Sequence, residues 1–391
     1  MAEQENLEKS AGEGAESFPE AEEGTENRVI KRTGCKKENC CGCQACADLC
    51  PAGAIHMCPD QEGFWYPQTD PELCTGCGRC ERICPVNDRS QGKEEERYFG
   101  VQAKDDTIRY ASSSGGMFTL LAHAVLNRQG IVYGAGYSGN MEVEHRKICD
   151  KGRLETIRRT KYVQSSMKGV YREIQKDLQL GSWVMFCGTP CQAQALRQFL
   201  DGEDDRLLLV DLVCYGVGSP GIWKDYVTDL ERRYKGKLKD FSFRDKRNRD
   251  HGQTRSFVIG ESEIVNTLYQ DAYCRMYFRN YSIRPSCHHC SFCEIRRSSD
   301  FTIGDFWGVE NVRPDFDDGM GTSLVIVHTE KAKEFWKEIE KDARWFACQK
   351  EDVLQPRLRV PTKAAGHRKL FMELYRRLPF SLLMKLVGGR R

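Results

Sequence analysis

The sequence predicts an α/β protein whose large domain holds a mostly parallel or mixed sheet, preceded by a small cysteine-rich α+β domain. Three observations carry this. Trp183 to Phe186 read as a short buried strand, Gly188-Thr189-Pro190 as a turn and Cys191 as a helix start, before the run Leu207 to Val213 supplies the next strand. A βαβ unit of this kind lays its strands parallel. Upstream, Ser112-Ser113-Ser114-Gly115-Gly116 precedes a run with Met117, Leu120, Leu121, Ala124 and Val125 on one helical face, and Gly-Ile-Val-Tyr-Gly after it reads as a strand. Cysteines two and three residues apart crowd the segment from Cys35 to Pro85.

The chain has 391 residues, 40% hydrophobic and 30% charged, with 20 cysteines. That length accommodates two or three domains with a sizeable core. No apolar run approaches the ~20 residues of a bilayer-spanning helix, so no transmembrane segment is expected. The net charge of +2 gives no argument for a nucleic-acid partner. Clustered cysteines without a signal peptide point to metal ligation in a reducing cytoplasm. Charge is uneven, because residues 1–30 carry nine Glu against Lys9 and Arg28. Their net of −7, set against +2 for the whole chain, leaves +9 on the remainder.

Four units follow. Residues 1–32, almost free of large apolar side chains, read as a disordered acidic tail. Residues 33–90 form the cysteine-rich domain, and the polar run DRSQGKEEER joins it to an α/β domain at 97–350. Residues 351–391 form a basic helical extension, with Leu370, Phe371, Leu374, Leu378 and Leu382 on one face and a break at Leu378-Pro379. That face is expected to pack on the domain and leave Arg368, Lys369, Arg376, Arg377, Lys385, Arg390 and Arg391 in water.

Cys40, Cys43, Cys46 and Cys50-Pro51 follow C-x2-C-x2-C-x3-C-P, and Cys74, Cys77, Cys80 and Cys84-Pro85 repeat it at a shift of 34. In this pattern three thiolates of each run hold one 4Fe-4S cube and the fourth crosses to the other cube. The expected sets are Cys40, Cys43 and Cys46 with Cys84, and Cys74, Cys77 and Cys80 with Cys50. A zinc ribbon uses two C-x2-C pairs and has no use for a third and fourth cysteine at these offsets. The block resembles a bacterial-type two-cluster ferredoxin domain, with a longer segment from Ala52 to Leu73 between its halves. Cys41 has one residue, not two, between it and Cys43, and Cys35 and Cys58 lack a partner at ligand spacing; none is assigned iron.

Cys191 and Cys214 each follow a strand of the βαβ unit, at the carboxyl edge where open α/β sheets hold ligands. Cys191 also opens a helix, whose dipole favours thiolate. Cys287 and Cys290 form a C-x2-C pair on a Pro-led loop, and two with two make four thiolates, a third 4Fe-4S site. Taken singly, strand-end cysteines are ordinary core residues. Cys287, Cys290 and Cys293 with His288 or His289 form a zinc-type set as well. The Ser113 to Gly116 turn offers backbone N–H groups and a helix dipole to a phosphate, or is a plain N-cap.

Four segments, SSSGGMF at 112–118, CGTPCQ at 187–192, DLVCYGVGSP at 211–220, and RPSCHHC with SDFTIGDFWG between 284 and 308, resemble the coenzyme F420 hydrogenase/dehydrogenase beta-subunit family. The resemblance spans about residues 97–350. It implies a flavin-binding iron–sulfur oxidoreductase, with FAD as the flavin, and it favours Cys191, Cys214, Cys287 and Cys290 as ligands of a third 4Fe-4S cluster. Flavin contacts are expected at Ser113, Ser114, Gly115 and Gly116, and at Lys161, Gln164 and Ser165 of KYVQSS, whose other reading is a surface loop. Gly188 and Thr189 would let backbone approach the ring or diphosphate. Asp305, at the end of a strand, is either a polar contact to flavin or substrate or a turn-forming acid. Cys187 and Cys293 depart from the family pattern and read as packing residues.

The expected function is a cytoplasmic oxidoreductase in which flavin exchanges an electron pair with a small-molecule substrate or deazaflavin. Three clusters would carry single electrons to a donor or acceptor such as ferredoxin or another redox enzyme. The alternative is a non-catalytic electron-relay subunit between a partner enzyme and ferredoxin. A chlorophyll-like pigment or a glycan precursor also fits as substrate, and a homo-oligomer is compatible with the chain. None of the eight His stands in a diagnostic motif, so no catalytic acid or base is assigned.

Overall fold

The structure, a computed structural model, describes residues 35–87, 96–202 and 204–388. The expected acidic tail, the linker from 88 to 95, and Arg390-Arg391 lie outside the described residues. In the cysteine-rich block, β1 (Ile55–Pro59) and β2 (Trp65–Thr69) pair antiparallel. The α/β portion contributes β3 (Arg97–Ala103), β4 (Ile131–Tyr137), β5 (Val143–Ile148), β6 (Val184–Gly188) and β7 (Leu207–Leu212). There follow β8 (Leu238–Asp245), β9 (Thr254–Ile259), β10 (Ser262–Thr267), β11 (Phe301–Asp305), β12 (Ser323–Val327) and β13 (Ala343–Cys348).

Eight of these form a mixed sheet in the order β13-β3-β12-β11-β7-β6-β4-β5. Its centre, β4-β6-β7-β11, is parallel, and antiparallel pairs flank it on both sides. The βαβ unit is present, with the helix Pro190–Phe199 between β6 and β7. Leu208, Leu209 and Val210 of β7 are buried, which suits a strand covered on both faces. Each such side chain contributes about 1.5–3 kcal/mol when fully buried.

The helix Met117–Asn127 buries Met117, Leu120, Leu121, Ala124 and Val125 against the sheet, as its periodicity requires. Its N-cap Gly116 has φ 102°, a left-handed conformation that glycine adopts without a Cβ clash. At Gly115 a Cβ would lie 2.0 Å from the Val101 carbonyl oxygen and 2.5 Å from the Ser323 nitrogen. The turn is therefore clamped between β3 and β12.

A second core surrounds Trp223, Phe241, Phe243 and Tyr273 beneath the antiparallel sheet β10-β9-β8. The C-terminal helices Arg368–Arg377 and Phe380–Gly388 pack on it, separated at Leu378-Pro379. Their buried residues are Phe371, Met372, Leu383 and Met384, whereas Leu370 and Leu382 are exposed. The expected apolar face is thus corrected by a rotation of about one residue. Among the described residues no helix is long and apolar enough to cross a membrane.

The cysteine-rich block is docked onto the α/β portion through both core and polar contacts. Cys43, Ala45 and Ile83 share a core with Tyr171, Ile174 and Phe199. Gln44 Oε1 accepts from Met167 N at 2.8 Å, and Tyr171 Oη donates to the Cys43 carbonyl at 2.8 Å. Asp48 accepts from Gly169 N at 2.8 Å and Tyr171 N at 3.3 Å, at the start of the helix Val170–Gln179. Burial pushes the Asp48 carboxyl up despite these bonds.

Candidate redox centre

β6 and β7 leave the sheet at the same edge, and the segments after them form a wall with a cavity on each side. Cys191, Cys214, Cys287 and Cys290 line the smaller of the two, about 210 Å³. Gln192, at the third position of its helix, accepts from Thr189 N at 2.9 Å, which fixes the turn that presents Cys191. Thr189 Oγ1 is 3.2 Å from Cys191 Sγ. Cys41 and Cys293 line the same space, Cys41 within hydrogen-bond reach of Cys191 and Cys293 within reach of Cys290. The hydrogen bond with Cys41, and then burial, push the Cys191 thiol well up. Burial does the same for Cys214 and pushes Cys287 up to about 12. A cationic metal core inverts this preference and holds such sulfurs as thiolates, so the donor set suits a cluster.

In the cysteine-rich block, Cys40, Cys43, Cys46 and Cys84 line a tight space of about 30 Å³, joined by Cys80. Cys50 and Cys74 act on Cys80, and Cys77 is exposed. Three glycines, Gly42 (φ 64°), Gly76 (φ 71°) and Gly78 (φ 68°), take left-handed turns between the motif cysteines. Cys35 is buried, its thiol donating to the Lys36 carbonyl at 3.5 Å, and it does more than fill space, because it lies within reach of the Cys40 and Cys84 thiols. That Cys35 contact, with the Arg284 charge behind it, outweighs burial and holds Cys40 down at about 6. Cys58 is half-buried on β1.

The larger cavity, about 530 Å³, lies beyond the shared wall. Ser113, Ser114, Gly116, Lys161, Ser165, Gly188, Thr189 and Asp305 line it. Gly115 does not, because its place is the clamp between β3 and β12. Gln164 does not either. Its amide donates to the Cys41 and Gly42 carbonyls, each at 3.1 Å, so it ties the cysteine-rich block to the wall of the smaller cavity.

Lys161 is a half-buried lysine that lines this cavity and not a solvent-facing surface-loop residue. Its Nζ donates to the Arg158 and Arg159 carbonyls and lies 5.7 Å from the Tyr137 ring centroid. Burial, reinforced by Arg159, holds it down at about 7. Asp305 is ion-paired with Arg244, whose guanidinium sits 5.3 Å from the Trp307 ring centroid. It therefore places a cation in the wall.

Sequence reasoning missed the rest of that wall. Arg158, Arg159, Arg244 and Arg357 line the cavity with Lys161, against the single carboxylate of Asp305. No sequence signal marks these four among 59 Lys and Arg. His145 also lines it, stacked on Phe186 at 5.1 Å with Nε2 3.1 Å from the Cys187 carbonyl oxygen. Its Nδ1 is buried and has no hydrogen-bond partner among the described residues. Burial holds His145 down at about 4, so the ring is neutral. Its signal was the alternation of β5, which puts His145 in phase with buried Val143. Cys187 lines the same cavity.

Residues 181–352 match the family described as the C terminus of the coenzyme F420 hydrogenase/dehydrogenase beta subunit, and residues 39–87 match the 4Fe-4S dicluster domain. No curated protein matches the chain. Among solved structures, a chain from the xenon-derivatised F420-reducing NiFe hydrogenase complex of Methanosarcina barkeri is similar at 17% identity. The similarity covers 76% of this chain and 89% of that chain, with a TM-score of 0.45.

Proposed function

We propose that this chain is a flavin-dependent oxidoreductase. It is an iron–sulfur electron-transfer protein, with a 4Fe-4S dicluster domain at 39–87 and, at 181–352, the domain that forms the C terminus of the coenzyme F420 hydrogenase/dehydrogenase beta subunit. One observation carries the reading. The larger cavity shares Cys214 with the thiol cavity, and the thiol cavity shares Cys41 with the space between Cys40, Cys43, Cys46 and Cys84. Three sites in series with common walls suit electron transfer. Flavin, as FAD, would supply two-electron exchange with an organic substrate or deazaflavin, and three 4Fe-4S clusters would supply one-electron steps.

The residues divide the work by chemistry. Lys161, Arg158, Arg159 and the turn at Ser113, Ser114 and Gly116 suit the diphosphate. Phe118, Tyr162, Tyr277 and Trp307 offer apolar faces to a planar ring, and His145 Nδ1 offers an acceptor to a ring N–H. Cys191, Cys214, Cys287 and Cys290 would hold the inner cluster. Cys40, Cys43, Cys46 with Cys84 and Cys74, Cys77, Cys80 with Cys50 would hold the other two. Exposed Cys77 suits exchange with an external carrier such as ferredoxin or another redox enzyme.

The test is anaerobic purification with iron, sulfide and flavin quantified on one sample, followed by reduction of the clusters through the flavin. Three clusters and one flavin per chain are expected; zinc in place of iron in residues 97–350 overturns the reading. Turnover of a small molecule by the isolated chain separates an enzyme from an electron relay.

A further inference from the structure

Arg284 begins the loop that carries Cys287 and Cys290, yet its side chain enters the cysteine-rich block. Its backbone is fixed on the α/β side, where its carbonyl accepts from Cys287 N at 3.0 Å and its N–H donates to the Val217 carbonyl at 2.9 Å. The guanidinium is 0% exposed. Nε donates to the Cys40 carbonyl at 2.8 Å, and Nη1 donates to Gln164 Oε1 at 2.9 Å. Nη2 donates to the Trp65 carbonyl at 3.0 Å and to Cys40 Sγ at 3.8 Å. Tyr66 covers one side, with its ring centroid 4.2 Å from the guanidinium carbon.

An arginine is always charged, and a buried charge without a counter-ion is strongly unfavourable. Among the described residues no carboxylate pairs with Arg284. Arg297, the other buried arginine beside these thiols, has Asp211 at 3.7 Å. The ionisable groups that face Arg284 are the thiols of Cys40, Cys41 and Cys287 and the phenol of Tyr66. An anionic cluster held by thiolates is the counter-ion that this arrangement lacks.

We infer that Arg284 sets the reduction potential of the cluster held by Cys40, Cys43, Cys46 and Cys84, raising it above the value those ligands give without a buried cation. The inference rests on the cluster assignment proposed above. A cluster gains one negative charge with each electron it accepts, so a nearby cation and an N–H···S bond stabilise the reduced form more than the oxidised one. The site between Cys191, Cys214, Cys287 and Cys290 adjoins the Cys40 site across Cys41 and would hold one neighbouring cluster, and the Cys50, Cys74, Cys77, Cys80 set would hold the other. Arg284 touches no substrate; it is a positioning residue that acts through Cys40. Because its backbone is fastened to the Cys287 loop, its charge is held in place relative to both thiol sites.

The experiment is a redox titration of the full chain followed by electron paramagnetic resonance, on wild type, Arg284→Gln and Arg284→Lys, with iron content measured on each. In Arg284→Gln with full iron content, one cluster signal is expected to shift to lower potential. A tenfold change in its reduced-to-oxidised ratio at fixed poise corresponds to about 59 mV for one electron. Arg284→Lys, which keeps the charge and loses the planar fork, is expected to shift less, and the signal of the cluster held by Cys74, Cys77, Cys80 and Cys50, none of which faces Arg284, is expected to stay. An unchanged potential in Arg284→Gln at full iron content overturns the inference and leaves the cluster assignment standing. Should Arg284→Gln lose iron, Arg284→Lys decides: a lowered potential supports the inference, and an unchanged one overturns it. A wild-type protein with no cluster that Cys40→Ser removes overturns both.

Discussion

The carboxylate of Asp48 accepts a hydrogen bond from the Gly169 N–H at 2.8 Å, so a side chain of the cysteine-rich block caps a helix of the α/β portion. Asp48→Ala should lower stability by about 1–2 kcal/mol, the cost of a lost cap and an orphaned N–H. Asp48→Asn keeps an acceptor oxygen without the buried charge and should cost less. Burial raises the Asp48 carboxyl, so its contribution to stability is greatest at low pH and falls as pH rises through its folded value. Denaturant unfolding of the three proteins at two pH values checks both statements.

Lys161, held at about 7, is half-charged near neutrality before an anion binds. Binding a phosphate raises that value and takes up protons. Flavin affinity should therefore be greatest below about 7 and fall as pH rises above it, and Lys161→Ala should remove this slope. At low pH the substitution should weaken flavin retention about ten- to a hundredfold, the worth of one charge-assisted contact of roughly 1.5–3 kcal/mol. Flavin fluorescence on dilution reads both effects.

Asp305 and Arg244 form an ion pair in which the arginine is nearly inaccessible, at 8% exposure. Asp305→Asn strands that cation and should destabilise the protein by about 3 kcal/mol. Adding Arg244→Met should recover part of the loss. Recovery of none would show that the loss does not come from the stranded Arg244 charge.

Cys41→Ser should leave iron content unchanged, while Cys77→Ser should remove one cluster's iron. Loss of iron from Cys41→Ser would make Cys41 a ligand. Its position in the wall common to two thiol sites is what gives this comparison its force.

Phe371→Ala should cost about 3–5 kcal/mol, because it removes a buried ring from the second core. Leu370→Ala should stay within about 0.5 kcal/mol, because its side chain is in water. Phe371 lies on both the observed and the sequence-implied face, so it is the thermal denaturation of Leu370→Ala that discriminates the two, with Phe371→Ala as the reference.

Spacing made the 4Fe-4S dicluster domain at 39–87 legible, since a cube needs thiolates at fixed offsets and the four-cysteine run repeats with a shift of 34. The parallel centre of the sheet was legible for a similar reason: β6, its helix and β7 occupy one short stretch with local turn chemistry. What escaped depends on contacts between distant segments. Gln164 stood in a run assigned to flavin, yet its amide is used 122 residues away at Gly42. Arg244 and Arg357 reach the cavity from a strand of the second sheet and from the C-terminal extension, where no local pattern separates them from solvated arginines. The amphipathic face of Arg368–Arg377 was misplaced because its phase is set by the core beneath it and not by its own leucines.

The inner thiol cavity draws its lining from residues as far apart as Cys41 and Cys293. This imposes an order on maturation. All eight cysteines of the doubled motif are present once Cys84 has left the ribosome, whereas the inner cavity lacks one side until the Cys287–Cys293 loop has been made and another until the N-terminal block has docked. A cluster proposed for that cavity would therefore be completed after those proposed for the dicluster domain, and a fragment ending before residue 287 would keep the eight outer cysteines while lacking two of the four inner ones.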